Sequence, residues 1–285
     1  MIPFDWAEPA TLEEAVALLD PEDPSIRAIA GGTALMLMMK AGVFVPSRLI
    51  SLARIEPRHS EIRVDAEGAL HIGAMASLSQ LEQSAEMAVR YPVMKRALRT
   101  LSNVRVRNVA RVGGALAHGD PHMDLPPLLA ALGARVLVLG PAGTREIAVE
   151  SLYAGYYETT LEKTELIAQA IVPPLAGARA AYIKVTSRSA DDWPALNIGV
   201  HLEVSGGNIL RAARLVIGAA TEKVTRLTAT EQMLKGATLN DAALERAGEC
   251  AIEEVSFLSD AHGSAPYKKE LLRVYLARAI GQALS

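Results

Sequence analysis

Two glycine pairs stand where a chain can grip a charged ligand. The first lies in Ala30-Gly31-Gly32-Thr33-Ala34-Leu35 and the second in Arg111-Val112-Gly113-Gly114-Ala115-Leu116. Each follows an apolar or β-branched stretch and reads as a turn. Glycine permits positive φ and lets a ligand approach the main chain closely. Successive N–H groups in such turns form concave anion sites, so two of them suit the two halves of a pyrophosphate. The chemistry indicated is the binding of a phosphate-bearing cofactor, not acid–base work by side chains. The first segment has neither the Gly-Lys-Ser ending of a Walker loop nor the G-x-G-x-x-G spacing of a dinucleotide fingerprint.

A second constellation is His118-Gly119-Asp120-Pro121-His122-Met123-Asp124. Imidazole and carboxylate at alternating positions are ordinary ligands for zinc, manganese or iron. A metal-dependent hydrolase using His118, Asp120, His122 and Asp124 is therefore one reading. Gly119 and Pro121 bend the segment, however, which favours a polar loop that hydrogen-bonds a cofactor or the backbone. The stretch from Lys184 to Arg188, with Asp191, Asp192 and Trp193, ends a strand and opens a charged loop. Ser151 lacks the G-x-S-x-G surroundings of a nucleophile elbow. No pair of carboxylates is marked out for acid–base catalysis, so no catalytic side chain is assigned. The third glycine pair, Gly206-Gly207, is flanked directly by alternating strands and reads as a hairpin turn.

The elements that must position these residues follow from periodicity. Thr11 with Glu14 three residues on predicts a capped helix over 11–19, which Pro21 and Pro24 end. Residues 26–30 form a strand into the first turn, 34–40 a helix leaving it, and 49–52 another strand. This alternation gives a small α/β unit over about 1–55. Residues 62–64 and 70–73 alternate around Asp65-Ala66-Glu67-Gly68, a hairpin signal. Helices are predicted over 79–89, 93–102 and 125–132. Residues 135–139 and 144–148 pair around Gly140-Pro141-Ala142-Gly143, and a strand over 165–172 stops at Pro173-Pro174, a domain boundary. Beyond it come three strands, 180–186, 195–204 and 209–218, and helices over 225–235, 241–253 and 267–282. The domains so drawn are 1–173, with subdomains of about 1–55 and 56–173, and 174–285.

Composition narrows the function classes. The chain has 285 residues, 50% of them hydrophobic and only 4% aromatic, so its core rests on Ala, Leu, Val, Ile and Met. A net charge of −3 with scattered Lys and Arg excludes a basic nucleic-acid surface. No apolar run reaches the length of a membrane span. The start, Met1-Ile2-Pro3-Phe4-Asp5, lacks the basic and apolar regions of a signal peptide, so the chain is read as cytoplasmic. The single cysteine, Cys250, excludes an internal disulfide or a cysteine-ligated cluster and reads as a small helix residue.

Taken in order, Ala30-Gly31-Gly32-Thr33, residues 107–114, Ala117-His118-Gly119-Asp120-Pro121 and Asp124-Leu125-Pro126 form a pattern. It continues through Gly155-Tyr156-Tyr157-Glu158-Thr159, Glu165-Leu166-Ile167 and Lys184-Val185-Thr186-Ser187-Arg188. This pattern resembles the medium, FAD-binding subunit of molybdenum hydroxylases, the group that includes carbon monoxide dehydrogenase, xanthine dehydrogenase and hydroxybenzoyl-CoA reductase. The resemblance implies an α+β fold like that of the vanillyl-alcohol-oxidase (PCMH-type) flavoproteins. Two subdomains would hold FAD, and a C-terminal domain would set three antiparallel strands on a helical bundle. It implies that Ala28, Ile29, Ala30, Gly31, Gly32, Thr33, Ala34 and Leu35, with Arg111, Val112, Gly113, Gly114 and Ala115, hold the FAD diphosphate through main-chain N–H groups. Leu101 and Leu166 would line the flavin or adenine pocket, Asp124 would hydrogen-bond the cofactor, and Lys184 would lie near the flavin and raise its potential. It implies two partners, a small subunit with two [2Fe–2S] clusters and a large molybdopterin subunit, as a dimer of heterotrimers. Electrons would pass from the clusters through FAD to an external acceptor; a stand-alone FAD oxidoreductase is the alternative. This chain departs from the usual pattern at Arg111 and Ala115, where polar residues usually flank the second glycine pair, and at Ala34, where Ser or Asp is common.

Overall fold

Three larger sheets and one two-stranded pair carry the chain in the computed structural model, which describes residues 3–285. Met1 and Ile2, on which the signal-peptide reading partly rests, lie outside the described residues. The first unit runs β1 (Asp5–Ala7), α1 (Leu12–Ala17), β2 (Ile26–Ile29), α2 (Leu35–Lys40) and β3 (Arg48–Ser51). β3 lies between β1 and β2 and is parallel to both. β1, three residues long, is too short to show a period in the sequence. Thr11 caps α1 by accepting from the Glu14 N–H at 3.0 Å, but the Glu14 carboxylate reaches the Ala10 N–H, so only half of a capping box forms.

The second layer contains β4 (Ile62–Val64), β5 (Leu70–Gly73) and six helices: α3 (Leu78–Gln83), α4 (Ala85–Arg90), α5 (Pro92–Thr100), α6 (Val104–Val109), α7 (Val112–Ala117) and α8 (Leu125–Ala131). Then follow β6 (Arg135–Gly140), β7 (Gly143–Ala148), the small pair β8 (Tyr153–Gly155) and β9 (Glu158–Thr159), and β10 (Leu166–Val172). The antiparallel order is β4-β5-β10-β6-β7, which puts the apolar β10 in the centre. The predicted helix over 79–89 divides in two because the Ser84 hydroxyl caps a new start by accepting from the Met87 N–H. α6 is an unpredicted helix, capped by Asn103, whose side chain accepts from the Arg105 and Val106 N–H groups at 3.0 and 3.1 Å. The second glycine pair also departs from expectation: Gly113 and Gly114 lie inside α7, not in a turn.

The third layer is an antiparallel sheet of four strands, not three: β11 (Arg179–Val185), β12 (Leu196–Ser205), β13 (Ile209–Gly218) and β14 (Thr225–Arg226). β14 takes the first residues of the helix predicted over 225–235, leaving α9 at Thr228–Leu234, followed by α10 (Asp241–Glu254) and α11 (Ala265–Leu284). The turn between β12 and β13 places Gly207 at φ 71°, as the glycine pair there predicts. α10 and α11 cover one face of this sheet through a core that includes Ile198, Val200, Leu272 and Leu276. The other face meets the second layer at two glycines. A Cβ on Gly199 would stand 2.7 Å from the Pro127 carbonyl oxygen, and one on Gly218 would stand 3.1 Å from that of Pro121. The bent 118–124 loop and α8 are thereby pressed against β12 and β13. No helix among the described residues is long and apolar enough to cross a membrane.

Candidate cofactor site

The first glycine turn closes a seam between the first and second layers. Gly32 has φ 69°, the left-handed region that glycine adopts without strain. Gly31 is required for a different reason: a Cβ there would lie 2.2 Å from the Val109 carbonyl oxygen and 3.0 Å from the Ala110 Cα. The turn therefore packs backbone to backbone against the α6–α7 junction. Among the described residues, the N–H groups of Gly31, Gly32, Thr33, Ala34 and Leu35 donate to no protein acceptor. Ala28, Ala30 and Leu166 all pack against one buried cluster that includes Ile50 and Met75. Ile29 is in the adjoining cluster with Leu35 and Met39.

The second segment contributes fewer free donors than its sequence suggests. The Val112 N–H donates to the Ala76 carbonyl at 3.0 Å and the Gly113 N–H to the Ala74 carbonyl at 2.8 Å. The Ala115 N–H donates to the Arg111 carbonyl within α7. A Cβ on Gly113 would lie 2.6 Å from the Ala74 Cβ, so this glycine serves packing. Gly114 is different, since its nearest neighbour is the Ala30 Cβ at 3.9 Å and its N–H has no protein acceptor among the described residues. Arg111 donates from Nη1 to the Met75 carbonyl at 3.3 Å, and its buried Nε has no partner. The two segments thus meet with a row of free N–H groups on one side and an open glycine on the other.

Asp124 and Lys184 form a separate group, which reaches the chain at Thr100, next to Leu101. Lys184 donates to the Asp124 carboxylate at 3.0 Å and to the Thr100 carbonyl at 2.9 Å. Asp124 also accepts from the Tyr182 hydroxyl at 2.6 Å. Burial pushes the Asp124 carboxyl above its ordinary value, against the pull of Lys184 and Tyr182. Each Asp124 oxygen thus accepts one hydrogen bond from a protein side chain, which fixes the carboxylate in place. Leu101 is buried in the central core, and its carbonyl accepts from Arg107 at 3.2 Å. The sequence assigns no role of their own to Tyr182 and Arg107. Tyr182 had a signal, since residues two apart on a strand share a face, and Lys184 is two residues on.

The four residues weighed as metal ligands do not converge. His122 faces Asp120 through Nδ1 at 2.9 Å and Asp260 through Nε2 at 2.8 Å, leaving neither ring nitrogen free. Asp124 pairs with Lys184, and His118 stacks edge-on against Tyr157 at 5.1 Å, with burial holding its imidazole below the ordinary value. No group of three or more His, Cys, Asp or Glu is arranged to hold a metal among the described residues.

A row of main-chain donors without protein acceptors among the described residues lies on the seam between the first and second layers, an arrangement suited to an anion such as a phosphate. Residues 2–175 match the family of the FAD binding domain in molybdopterin dehydrogenase, and residues 181–283 that of the CO dehydrogenase flavoprotein C-terminal domain. The chain is 32% identical over 289 residues to the carbon monoxide dehydrogenase medium chain of Afipia carboxidovorans, covering 99% of this chain and 98% of the relative. It is 31% identical over 279 residues to the nicotine 6-hydroxylase medium subunit of Paenarthrobacter nicotinovorans, covering 98% and 96%. The solved carbon monoxide dehydrogenase from Hydrogenophaga pseudoflava that lacks the Mo-pyranopterin moiety aligns with a TM-score of 0.94 at 32% identity, covering 100% of this chain and 99% of that one. The chain belongs to the FAD-binding medium-subunit family of the molybdenum hydroxylases, and it is an oxidoreductase flavoprotein subunit.

Proposed function

We propose that this chain holds FAD with its diphosphate along residues 30–35 and against Gly114, and serves as the electron-transfer subunit of a three-subunit complex. The observation that carries the reading is the run of five N–H groups, from Gly31 to Leu35, without protein acceptors among the described residues, set opposite the uncrowded Gly114. These donors are half-buried and aligned along one turn, and a phosphate is an acceptor that such a row suits. When bound, FAD supplies the redox chemistry, accepting electrons from [2Fe–2S] clusters of a small partner and releasing them to an external acceptor. The protein's own part is to fix position and local charge: Gly31 locks the turn on Val109, Leu166 packs on the same cluster as Ala30, and Lys184 is held with Asp124. The large partner would carry the molybdopterin centre, the assembly would be a dimer of heterotrimers, and the location cytoplasmic. We assign residues 1–55 and 56–173 to the two subdomains of a PCMH-type FAD fold and 174–285 to the C-terminal domain.

The test is expression of this chain alone and with candidate small and large chains. The expected result is a flavin absorption band that is extracted as FAD, and co-purification with a cysteine-rich chain and a large chain. A colourless preparation under both conditions would sink the cofactor reading. A flavin-loaded chain that turns over substrate without partners would instead support a stand-alone oxidoreductase.

A further inference from the structure

Three loops converge on His122, one from the second layer and two from the third. Its own loop, between α7 and α8, supplies Asp120 at Nδ1, and the α10–α11 loop supplies Asp260 at Nε2. The loop between β11 and β12 places the Trp193 ring edge-on at 6.0 Å, and His262 lies at 5.1 Å. The charges continue outward on both sides. The Asp120 carboxylate also accepts from the Tyr157 hydroxyl at 2.8 Å. Asp260 accepts from the ammonium of Lys268, which is fully buried and also donates to the Ala219 carbonyl at 2.7 Å. The order Tyr157, Asp120, His122, Asp260, Lys268 thus crosses from the second layer to α11 without a break.

This geometry specifies a protonation state. A neutral imidazole has one N–H and one lone pair, and only the cation donates from both nitrogens. With a carboxylate oxygen within 2.9 Å of each nitrogen, the neutral ring would turn a lone pair toward a negative oxygen. We propose that His122 is a positioning residue that latches α11 and its preceding loop onto the 118–124 loop while it carries a proton, and releases them when it loses it. The groups facing it are Asp120 from its own loop and Asp260 and His262 from the α10–α11 loop, with Tyr157, Tyr156, His118 and Lys268 behind them. Burial lowers the His122 value, but the two carboxylates outweigh it, with a net upward displacement. The latch is therefore closed below the ordinary histidine range and opens as pH rises through the displaced value. Because the 118–124 loop ends at Asp124, the partner of Lys184, the latch also steadies that pair. It does not depend on FAD being bound.

Trp193 reports on the latch directly. The chain has two tryptophans, so Trp6→Phe leaves Trp193 alone. An imidazolium quenches indole emission more than a neutral imidazole does. Emission of the full chain in this background should rise with pH through a midpoint above about 6.5, the ordinary histidine value. His122→Gln should abolish the transition, His262→Gln should leave it, and Asp260→Asn should move it to lower pH by roughly one unit. Hydrogen exchange, corrected for intrinsic rates, should show protection over 118–124 and 258–264 about tenfold lower in His122→Gln at a pH where the wild-type latch is closed. A transition that survives His122→Gln, a midpoint at or below the ordinary value, or unchanged protection in that variant would each overturn the proposal. If His122→Gln does not fold, the direction of the Asp260→Asn midpoint decides.

Discussion

Glycines that look alike in the sequence do different work at the seam. Gly31 touches the Val109 carbonyl, Gly113 touches Ala74, and Gly114 faces space bounded by Ala30. A methyl on Gly114 meets its nearest atom at ordinary contact distance, so Gly114→Ala fits the folded chain. Exchanging a helical glycine for alanine should hold or raise stability by about 0.5–1 kcal/mol. On the cofactor reading the same methyl intrudes on the diphosphate, so FAD affinity should fall while the unfolding midpoint does not. Gly31→Ala should lower both, because its methyl cannot coexist with the Val109 oxygen at 2.2 Å. Titration with FAD, read by flavin fluorescence, and urea unfolding of both variants check this pair. Unchanged FAD affinity in Gly114→Ala would remove that glycine from the site. The sequence located these glycines but could not rank them. Their neighbours Val109, Ala74 and Ala30 are distant or unremarkable in the chain and meet them only in the fold. Tyr182, on the strand face of Lys184, was within reach of pattern reading, whereas Asp260, 138 residues from His122, was not.

Elements with their own signals were legible, and those made by context were not. The hairpin of β6 and β7, the long strands β12 and β13 and the two last helices all lie where their periodicity puts them. α6 was hidden by its charged, valine-rich composition, and β14 by a helical pattern that begins two residues later. The packing of α10 on α11 also rests on a glycine whose purpose only the fold reveals. A Cβ on Gly248 would lie 2.5 Å from the Arg273 carbonyl oxygen, which is main chain and cannot swing away. Gly248→Ala gains helix propensity, roughly 1 kcal/mol, but forces the helices apart, and overpacking of this kind costs about 1–3 kcal/mol. The net expectation is a lower unfolding midpoint with FAD affinity unchanged, since α10 lies on the sheet face away from α8. A variant as stable as wild type would show that the helices separate freely at this crossing.

Across the whole molecule, the second and third layers are joined by buried or half-buried charges as well as by apolar contact. Glu150 pairs with Arg214 at 2.6 Å and with Arg226 at 3.3 Å, Asp124 pairs with Lys184, and Asp260 joins His122 to Lys268. These joints give stability a definite acid limb. Burial raises the Asp260 carboxyl, but Lys268, His122 and the His262 N–H outweigh it and hold it at about 2, against 3.8 for a free side chain. Burial likewise raises Asp120, and its bonds to His122 and Tyr157 again win, holding it below its usual value. A carboxyl depressed in the folded chain adds stability that is complete above its unfolded value and is lost as pH falls through its folded value. For Asp260 the displacement corresponds to at most about 2.5 kcal/mol, reduced by the solvent that still reaches and screens its carboxylate. Asp124, displaced upward by burial, takes its proton at higher pH in the folded chain and does not add to this loss. Urea midpoints should therefore fall between about pH 4 and pH 2, and Asp260→Asn should be less stable than wild type at about pH 6. The gap between the two should close as pH approaches about 2, because protonation then removes from the wild type the charge that the asparagine lacks. A gap that stays constant over that range would place the Asp260 contribution in packing and not in its charge.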